Sequence, residues 1–113
     1  MSEKNVASAD TVGTGRELVS FGAATAAMKQ GKMVARIGWN GKGMFAFMQV
    51  PSNVPAVIVP NMSSLPQPVK DELVRRGGDL NYSNQMCLVK PNNELNGWVP
   101  SAADVLSSDW VIL

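Results

Sequence analysis

The sequence lacks histidine altogether and contains one cysteine, Cys87, among its 113 residues. Without histidine the chain can form neither a Ser-His-Asp nor a Cys-His catalytic arrangement, and it lacks the usual general base near neutral pH. The acidic residues from Asp71 to Asp109 show no spacing that indicates a converging carboxylate pair. We therefore expect a protein that is not an enzyme, with no catalytic residue, metal site or cofactor. A single cysteine excludes an intrachain disulfide, which fits a reducing cytoplasm, and its apolar neighbours predict a buried side chain.

Long apolar runs are missing as well. No stretch approaches the roughly 20 residues needed to span a bilayer, and the polar first 15 residues lack the apolar region of a signal peptide. We therefore expect no membrane partner. The balance of 10 basic and 9 acidic residues argues against a binder of DNA or RNA polymers.

Acidic residues are absent from Leu18 to Lys70, a stretch that contains several lysines and Arg36. We expect this carboxylate-free half of the chain to favour an anionic ligand. A solvated basic face is the alternative interpretation of the same charge pattern.

The most informative feature that is present is the segment Gly38–Gly43, which reads Gly-Trp-Asn-Gly-Lys-Gly between two apolar runs. Asn40-Gly41 is a strong hairpin signal, because both residues tolerate positive φ. Trp39 beside such a turn must pack back on the sheet or offer a flat face to a ligand. Lys42 and the glycine N–H groups add positive potential and donors, so the segment suits a nucleotide-like ligand. A purely structural turn is the alternative.

The helical pattern indicates two to three short helices in a small α+β domain over residues 20–113, after a flexible arm over residues 1–19. Ser20 is expected to cap a helix over Phe21–Gln30, which Gly31 ends. A second helix is predicted to start near Pro68 and to end near Arg76. Ser101 and Asp104 approximate a capping box for a short third helix that starts at Ala102.

The strand pattern predicts an antiparallel sheet. The strand over Met44–Val50 is nearly all apolar, so both of its faces need cover, and oligomerisation is the simplest remedy. A bound ligand could cover part of one face, and a core on both sides is the alternative. Trp110 is expected in the core. The other expected strands are Lys32–Ile37, Tyr82–Lys90 and Asp109–Leu113, with a short edge strand at Val57–Val59 and a polar turn over Pro91–Gly97.

Three linked signatures carry a resemblance to a known family. They are Lys29-Gln30-Gly31-Lys32 at a helix end, Ala35-Arg36 leading into the glycine turn, and Trp98-Val99-Pro100-Ser101 followed by Asp104 and Asp109-Trp110. In this order, over about residues 20–113, they resemble the Thoeris anti-defense 2-like domain family of phages and prophages. The resemblance implies a homotetrameric sponge in the cytoplasm of the bacterial host. It would sequester cyclic nucleotide immune signals without cleaving them, notably glycocyclic ADP-ribose, and in some members CBASS cyclic oligonucleotides at a separate site.

The resemblance also implies roles for individual residues. Trp39 would stack on an adenine, and Asn40 would hydrogen-bond a base edge or a ribose. The helix start after Ser101 could receive a phosphate, whereas Asp104 suits a ribose hydroxyl or serves only as a cap. The full set of expected ligand-binding residues is Trp39, Asn40, Gly41, Lys42, Trp98, Ser101 and Asp104.

The chain departs from shorter family members in its N-terminal arm and in the long Pro51–Gly78 segment. That segment could cover the pocket or build a second site. Two other functions stay open from the sequence. One is an enzyme that degrades the signal, and the other is a phage structural or protein-interaction module that uses its Met- and Phe-rich strand as an oligomer seam.

Overall fold

The computed structural model describes residues 16–39 and 43–113, which form two compact units. One unit contains the described residues up to Gln49 together with Gln85–Leu113, and the other is Val50–Asn84. Residues 1–15, most of the predicted arm, and residues 40–42 lie outside the described part. Within it, the α+β class with an antiparallel sheet and three α-helices is confirmed.

The elements follow one another along the chain as the apolar pattern broadly predicts. The α-helices are α1 (Phe21–Lys29), α2 (Gln67–Arg76) and α3 (Ala102–Leu106). The strands are β1 (Val34–Arg36), β2 (Phe45–Gln49), β3 (Ser52–Val54), β4 (Leu80–Tyr82), β5 (Gln85–Val89), β6 (Leu95–Gly97) and β7 (Trp110–Ile112).

The first unit is built on a five-stranded antiparallel sheet with the strand order β6-β5-β2-β1-β7. The first and last strands are neighbours, and Arg36 stands opposite Trp110 in their register. Val19 adds a two-way backbone bridge to Trp110, with N···O distances of 2.8 and 3.1 Å. This order brings the segment after β1 next to the segment that leads into β7.

Helix α1 packs on this sheet and confirms the predicted cap. The Ser20 hydroxyl oxygen accepts from the Ala23 N–H at 3.2 Å, and Gly31 follows the helix end with a φ of 88°. Ala24, Ala27 and Met28 are buried against Val34, Ala46 and Trp110, which form the main core cluster. Complete burial of a side chain such as Met28 stabilises the fold by about 1.5–3 kcal/mol.

Both faces of the sheet carry buried side chains. Val34 and Ala46 face one side, whereas Ala35 and its partner Val111 face the other, and all four are at most 1% exposed. Cys87 is fully buried and Trp110 is fully buried, as the sequence predicts. The oligomer expected from the apolar β2 strand stays a prediction.

The second unit corrects one expected strand. Val57–Val59 does not form an edge strand, because the chain turns there and enters a 3₁₀ helix at Val59–Asn61. Pro60 lies in its first turn, where a fixed φ and a missing N–H favour a tight helical turn over a strand. The strand forms earlier instead, at Ser52–Val54, paired with β4.

Two further boundaries differ from the expectation. The predicted strand Tyr82–Lys90 is interrupted at residues 83–84, so that β4 pairs with β3 whereas β5 pairs with β2. The expected turn over Pro91–Gly97 is shorter, because its last three residues form β6. Asn93, with a φ of 67°, makes the tight part of that turn. No helix in residues 16–39 and 43–113 is long and apolar enough to cross a membrane.

Candidate ligand-binding site

The three tryptophans of the chain meet at one place in the first unit. The ring of Trp39 lies edge-on to Trp98, with centroids 6.0 Å apart, and edge-on to Trp110, with centroids 5.2 Å apart. Trp98 and Trp110 are 6.1 Å apart. Each such contact stabilises the cluster by about 0.5–1.5 kcal/mol beyond the buried area. Trp110 is fully buried, whereas Trp39 and Trp98 are half-buried.

A charged bridge lies next to these rings. Arg36, the last residue of β1, donates through Nε to Asp109 Oδ1 at 2.8 Å and through Nη1 to Asp104 Oδ1 at 2.8 Å. The side chains of Arg36 and Asp104 are only 16% and 12% exposed. Asp109 also accepts from the Gly38 N–H at 2.8 Å. One guanidinium therefore joins β1, the start of α3 and the residue before β7.

Asp104 connects the charged bridge to the rings. Its Oδ1 accepts from Trp39 Nε1 at 3.1 Å, and its main-chain oxygen accepts from Trp110 Nε1 at 2.9 Å. Its Oδ2 accepts from the Ser101 N–H, while the Ser101 hydroxyl accepts from the Asp104 N–H, both at 3.1 Å. The predicted capping box is thus confirmed, and the same carboxylate fixes the edge of the Trp39 indole.

The hydrogen bonds keep the bridge ionised at neutral pH. Burial raises the pKa of Asp104, but the bonds from Arg36, Trp39 and Ser101 outweigh it, so that this pKa lies below its usual range. The Arg36 guanidinium is also the main cause of the lowered pKa of Asp109. The two carboxylates in turn raise the pKa of Arg36. The bridge therefore combines one positive and two negative charges.

Two carboxylates lie beside Arg36 and Gly38, where the glycine segment begins, although the sequence around them contains no acidic residue. The stretch without acidic residues is real in the sequence, but α3 and the turn before β7 bring Asp104 and Asp109 against Arg36. The N–H of Gly38 is occupied by Asp109 and is no free donor. A phosphate next to this bridge would meet two carboxylates, whereas a base ring or a ribose hydroxyl meets no such repulsion.

The described residues of the expected site come together, although they belong to separate segments. Trp39 follows β1, Trp98 follows β6, and Ser101 and Asp104 begin α3. Asp104 is held more firmly than the sequence indicates, because three donors share its carboxylate. The expected contacts of Asn40, Gly41 and Lys42 fall on residues outside the described part of the chain.

The sequence interpretation missed Arg36 and Asp109 as parts of the site. They are 73 positions apart, and only the pairing of β1 with β7 brings them together. Both stood in the motifs that carried the family resemblance, Ala35-Arg36 and Asp109-Trp110. A basic residue at a strand end, between a buried alanine and a glycine turn, was the signal that could have indicated an internal ion pair.

The second unit has an open depression of its own, of about 310 Å³. Its lining residues come from β3, β4 and the residue before β3. Asn53 Nδ2 donates to Asn81 Oδ1 across the two strands at 2.8 Å, so part of the polar lining is already paired. The lining consists of Pro51, Ser52, Asn53, Asn81 and Tyr82.

Comparisons with known proteins agree with the motif order. Residues 19–113 match the Thoeris anti-defense 2-like domain. The chain is also similar to a protein of Bacillus phage SP01 named Thoeris anti-defense 2, with 32% identity over 96 residues. That alignment covers 84% of this chain and 94% of the phage protein. The family match spans α1, β1, α3 and β7, and therefore every described residue of the candidate site.

Proposed function

The chain belongs to the Thoeris anti-defense 2-like family, and on that premise we propose that it is a non-catalytic sponge for cyclic nucleotide immune signals. Family membership supports a phage anti-defence role. Within that role, we propose that the protein captures glycocyclic ADP-ribose of Thoeris, and also CBASS cyclic oligonucleotides, in the cytoplasm of the bacterial host. It acts as a homotetramer and releases no altered product, so the effector is deprived of its signal.

The observation that best supports this proposal is the way Trp39 is held. Its ring is half-buried, rests edge-on against two tryptophans and donates its N–H to a buried carboxylate. A ring fixed in this way offers a stacking surface whose side-chain entropy is already lost before a ligand arrives. Stacking of one base on an aromatic side chain contributes about 1–3 kcal/mol. Trp39 is therefore the residue that we assign to the adenine.

The charges near Trp39 suggest how the ligand is oriented. Because Asp104 and Asp109 carry two negative charges against one on Arg36, we place the base and its ribose near this bridge and the phosphates away from it. Trp98 forms a second aromatic wall, and Ser101 fixes Asp104. Asn40, Gly41 and Lys42 follow directly in the chain, and we assign to them the hydrogen bonds and the positive charge that a pyrophosphate requires.

Affinity for the signal must come mainly from slow release, because a sponge competes with an effector for the same ligand. The decisive experiment measures binding of glycocyclic ADP-ribose isomers, cyclic dinucleotides and cyclic trinucleotides by calorimetry. The protein is then heat-denatured and the released ligand is identified by mass spectrometry.

Each result separates the candidate functions. Tight stoichiometric binding and recovery of intact ligand would support the sponge. A changed ligand mass, formed with a small molar fraction of protein, would show a signal-degrading enzyme. If no compound of the panel binds, the proposal is wrong and a phage structural or protein-interaction module becomes the better explanation. Sedimentation analysis with and without ligand tests the tetramer separately.

A further inference from the structure

We propose that Arg36 and Asp109 are positioning residues of the binding site, which hold Gly38 and the Trp39 ring in place for the ligand without touching it. The ligand part of this inference rests on the proposed function. The positioning part rests only on the geometry of the bridge.

The Arg36 side chain contacts both Asp104 and Asp109. Its Nε donates to Asp109 and its Nη1 donates to Asp104, each at 2.8 Å, so the guanidinium spans two carboxylates on separate segments. A planar guanidinium has several donors in a fixed fork, whereas a lysine ammonium is a compact point charge on a flexible stem. A lysine at position 36 would supply the same charge, but it would not hold two donors in fixed directions toward the two carboxylates.

Asp109 fixes the backbone just before Trp39. Its Oδ2 accepts from the Gly38 N–H at 2.8 Å. A Cβ atom added to Gly38 would lie 2.8 Å from that same Oδ2 and 3.0 Å from Arg36 Nη2. Contacts of that length do not persist, so any side chain at position 38 must push the ion pair aside. The backbone of Gly38 is therefore seated directly on the Arg36–Asp109 pair.

The ring of Trp39 is fixed at its other end by the same bridge. Trp39 Nε1 and Arg36 Nη1 both donate to Oδ1 of Asp104. A shift of Arg36 therefore moves the oxygen that orients the indole, while a shift of Asp109 moves the backbone that carries it. Arg36 is 16% exposed and turns its donors toward the two carboxylates, so its effect on a ligand passes through Trp39.

Two substitutions test this inference with a matched control. Asp109→Asn keeps the shape of the side chain but removes its charge, and Gly38→Ala displaces the ion pair without altering either partner. Gly22→Ala is the control, because a Cβ there would meet only Ser20 Oγ, at an ordinary 3.7 Å. We expect Asp109→Asn and Gly38→Ala to weaken binding of glycocyclic ADP-ribose at least about tenfold, the scale of one charge-assisted hydrogen bond. We expect Gly22→Ala to bind like the wild type.

A spectroscopic measurement separates positioning from general destabilisation. In a ¹H–¹⁵N spectrum of the ligand-free protein, the indole N–H signals of the three tryptophans report on their own hydrogen bonds. Gly38→Ala should shift the Trp39 indole signal more than that of Trp110, which is bonded to the Asp104 main-chain oxygen. Its melting temperature should stay within about 5 °C of the wild type, because the atoms that the new Cβ meets are side-chain ends that can move.

The outcomes distinguish this inference from the proposed function. If the wild type binds and both variants bind equally well, the positioning role is wrong. If the wild type binds no compound, the proposed function is wrong, and the positioning role is then tested by the indole spectrum alone. An unchanged Trp39 signal in Gly38→Ala then overturns the positioning role as well. If Asp109→Asn does not fold, Gly38→Ala still gives both measurements.

Discussion

Replacement of Asp104 by alanine removes one carboxylate that performs three tasks. It caps α3 through Ser101, it accepts from Trp39 Nε1, and it neutralises part of Arg36. Loss of an N-cap interaction costs about 1 kcal/mol, and a buried donor left without a partner costs about 1–3 kcal/mol. Breaking a buried ion pair costs about 3–5 kcal/mol when it is fully enclosed.

These terms share one side chain and do not add. Arg36 keeps Asp109 as a partner, and the exposures of 16% and 12% let water reach the pair, so that the ion-pair term falls below its enclosed value. We therefore expect Asp104→Ala to lower the free energy of unfolding by about 2–4 kcal/mol. That is a large part of the about 5–15 kcal/mol typical of a whole domain.

The assay is equilibrium urea unfolding followed by far-ultraviolet circular dichroism, which reports mainly on the backbone, whereas tryptophan fluorescence would report on the rings near the substitution. Ser101→Ala serves as the control, because it removes the hydroxyl cap and leaves the carboxylate with Arg36 and Trp39. We expect this control to cost about 1 kcal/mol. If Asp104→Ala costs no more than Ser101→Ala, the carboxylate is only a helix cap, and the bridge does not stabilise the site.

Three further predictions concern the charged bridge, Trp39 and the buried Cys87. The lowered pKa values of Asp104 and Asp109 mean that their stabilisation is complete above the ordinary aspartate pKa of about 3.9 and is lost as the pH falls through the lower folded values. The free energy of unfolding in urea should therefore contain a nearly constant contribution from this bridge between about pH 5 and 8, and that contribution should decline below about pH 4. A loss of stability centred near about pH 6 would contradict this prediction. Trp39→Ala should abolish calorimetric binding of glycocyclic ADP-ribose while sedimentation shows the same oligomer as the wild type, and normal affinity would refute the assignment of this residue. Cys87 is fully buried and its pKa is raised by that burial, so a thiol reagent should modify the native protein far more slowly than the urea-unfolded chain; equal rates by mass spectrometry would contradict its burial.

Local signals in the sequence were sufficient to predict the positions of the helices. Ser20 and Gly31 bracket α1, and the pairing of Ser101 with Asp104 marks α3, because caps act within a few residues of one another. The core position of Trp110 also followed from its apolar neighbours. These elements depend on interactions that a short window of sequence contains.

Strand limits and the charged bridge depended on distant residues. The edge strand expected at Val57–Val59 failed because the tight turn containing Pro60 competes with pairing. The site required Arg36 to meet acidic residues 68 and 73 positions away. The distribution of charge along the chain shows no acidic residue near Arg36. It contains no information about which strands become neighbours, and therefore could not predict that Asp104 and Asp109 meet Arg36.

The separation between the two halves of the site has a consequence for the order in which the protein forms. Arg36 and Trp39 leave the ribosome many residues before Asp104 and Asp109, and the contacts between them close loops of 65–73 residues. Such closures are entropically costly and form late compared with local helices. The central β2–β5 pairing can precede them, but the tryptophan cluster is complete only when β7 docks beside β1. A nascent or truncated chain therefore lacks the assembled tryptophan cluster and charged bridge, which appear only together with the finished fold.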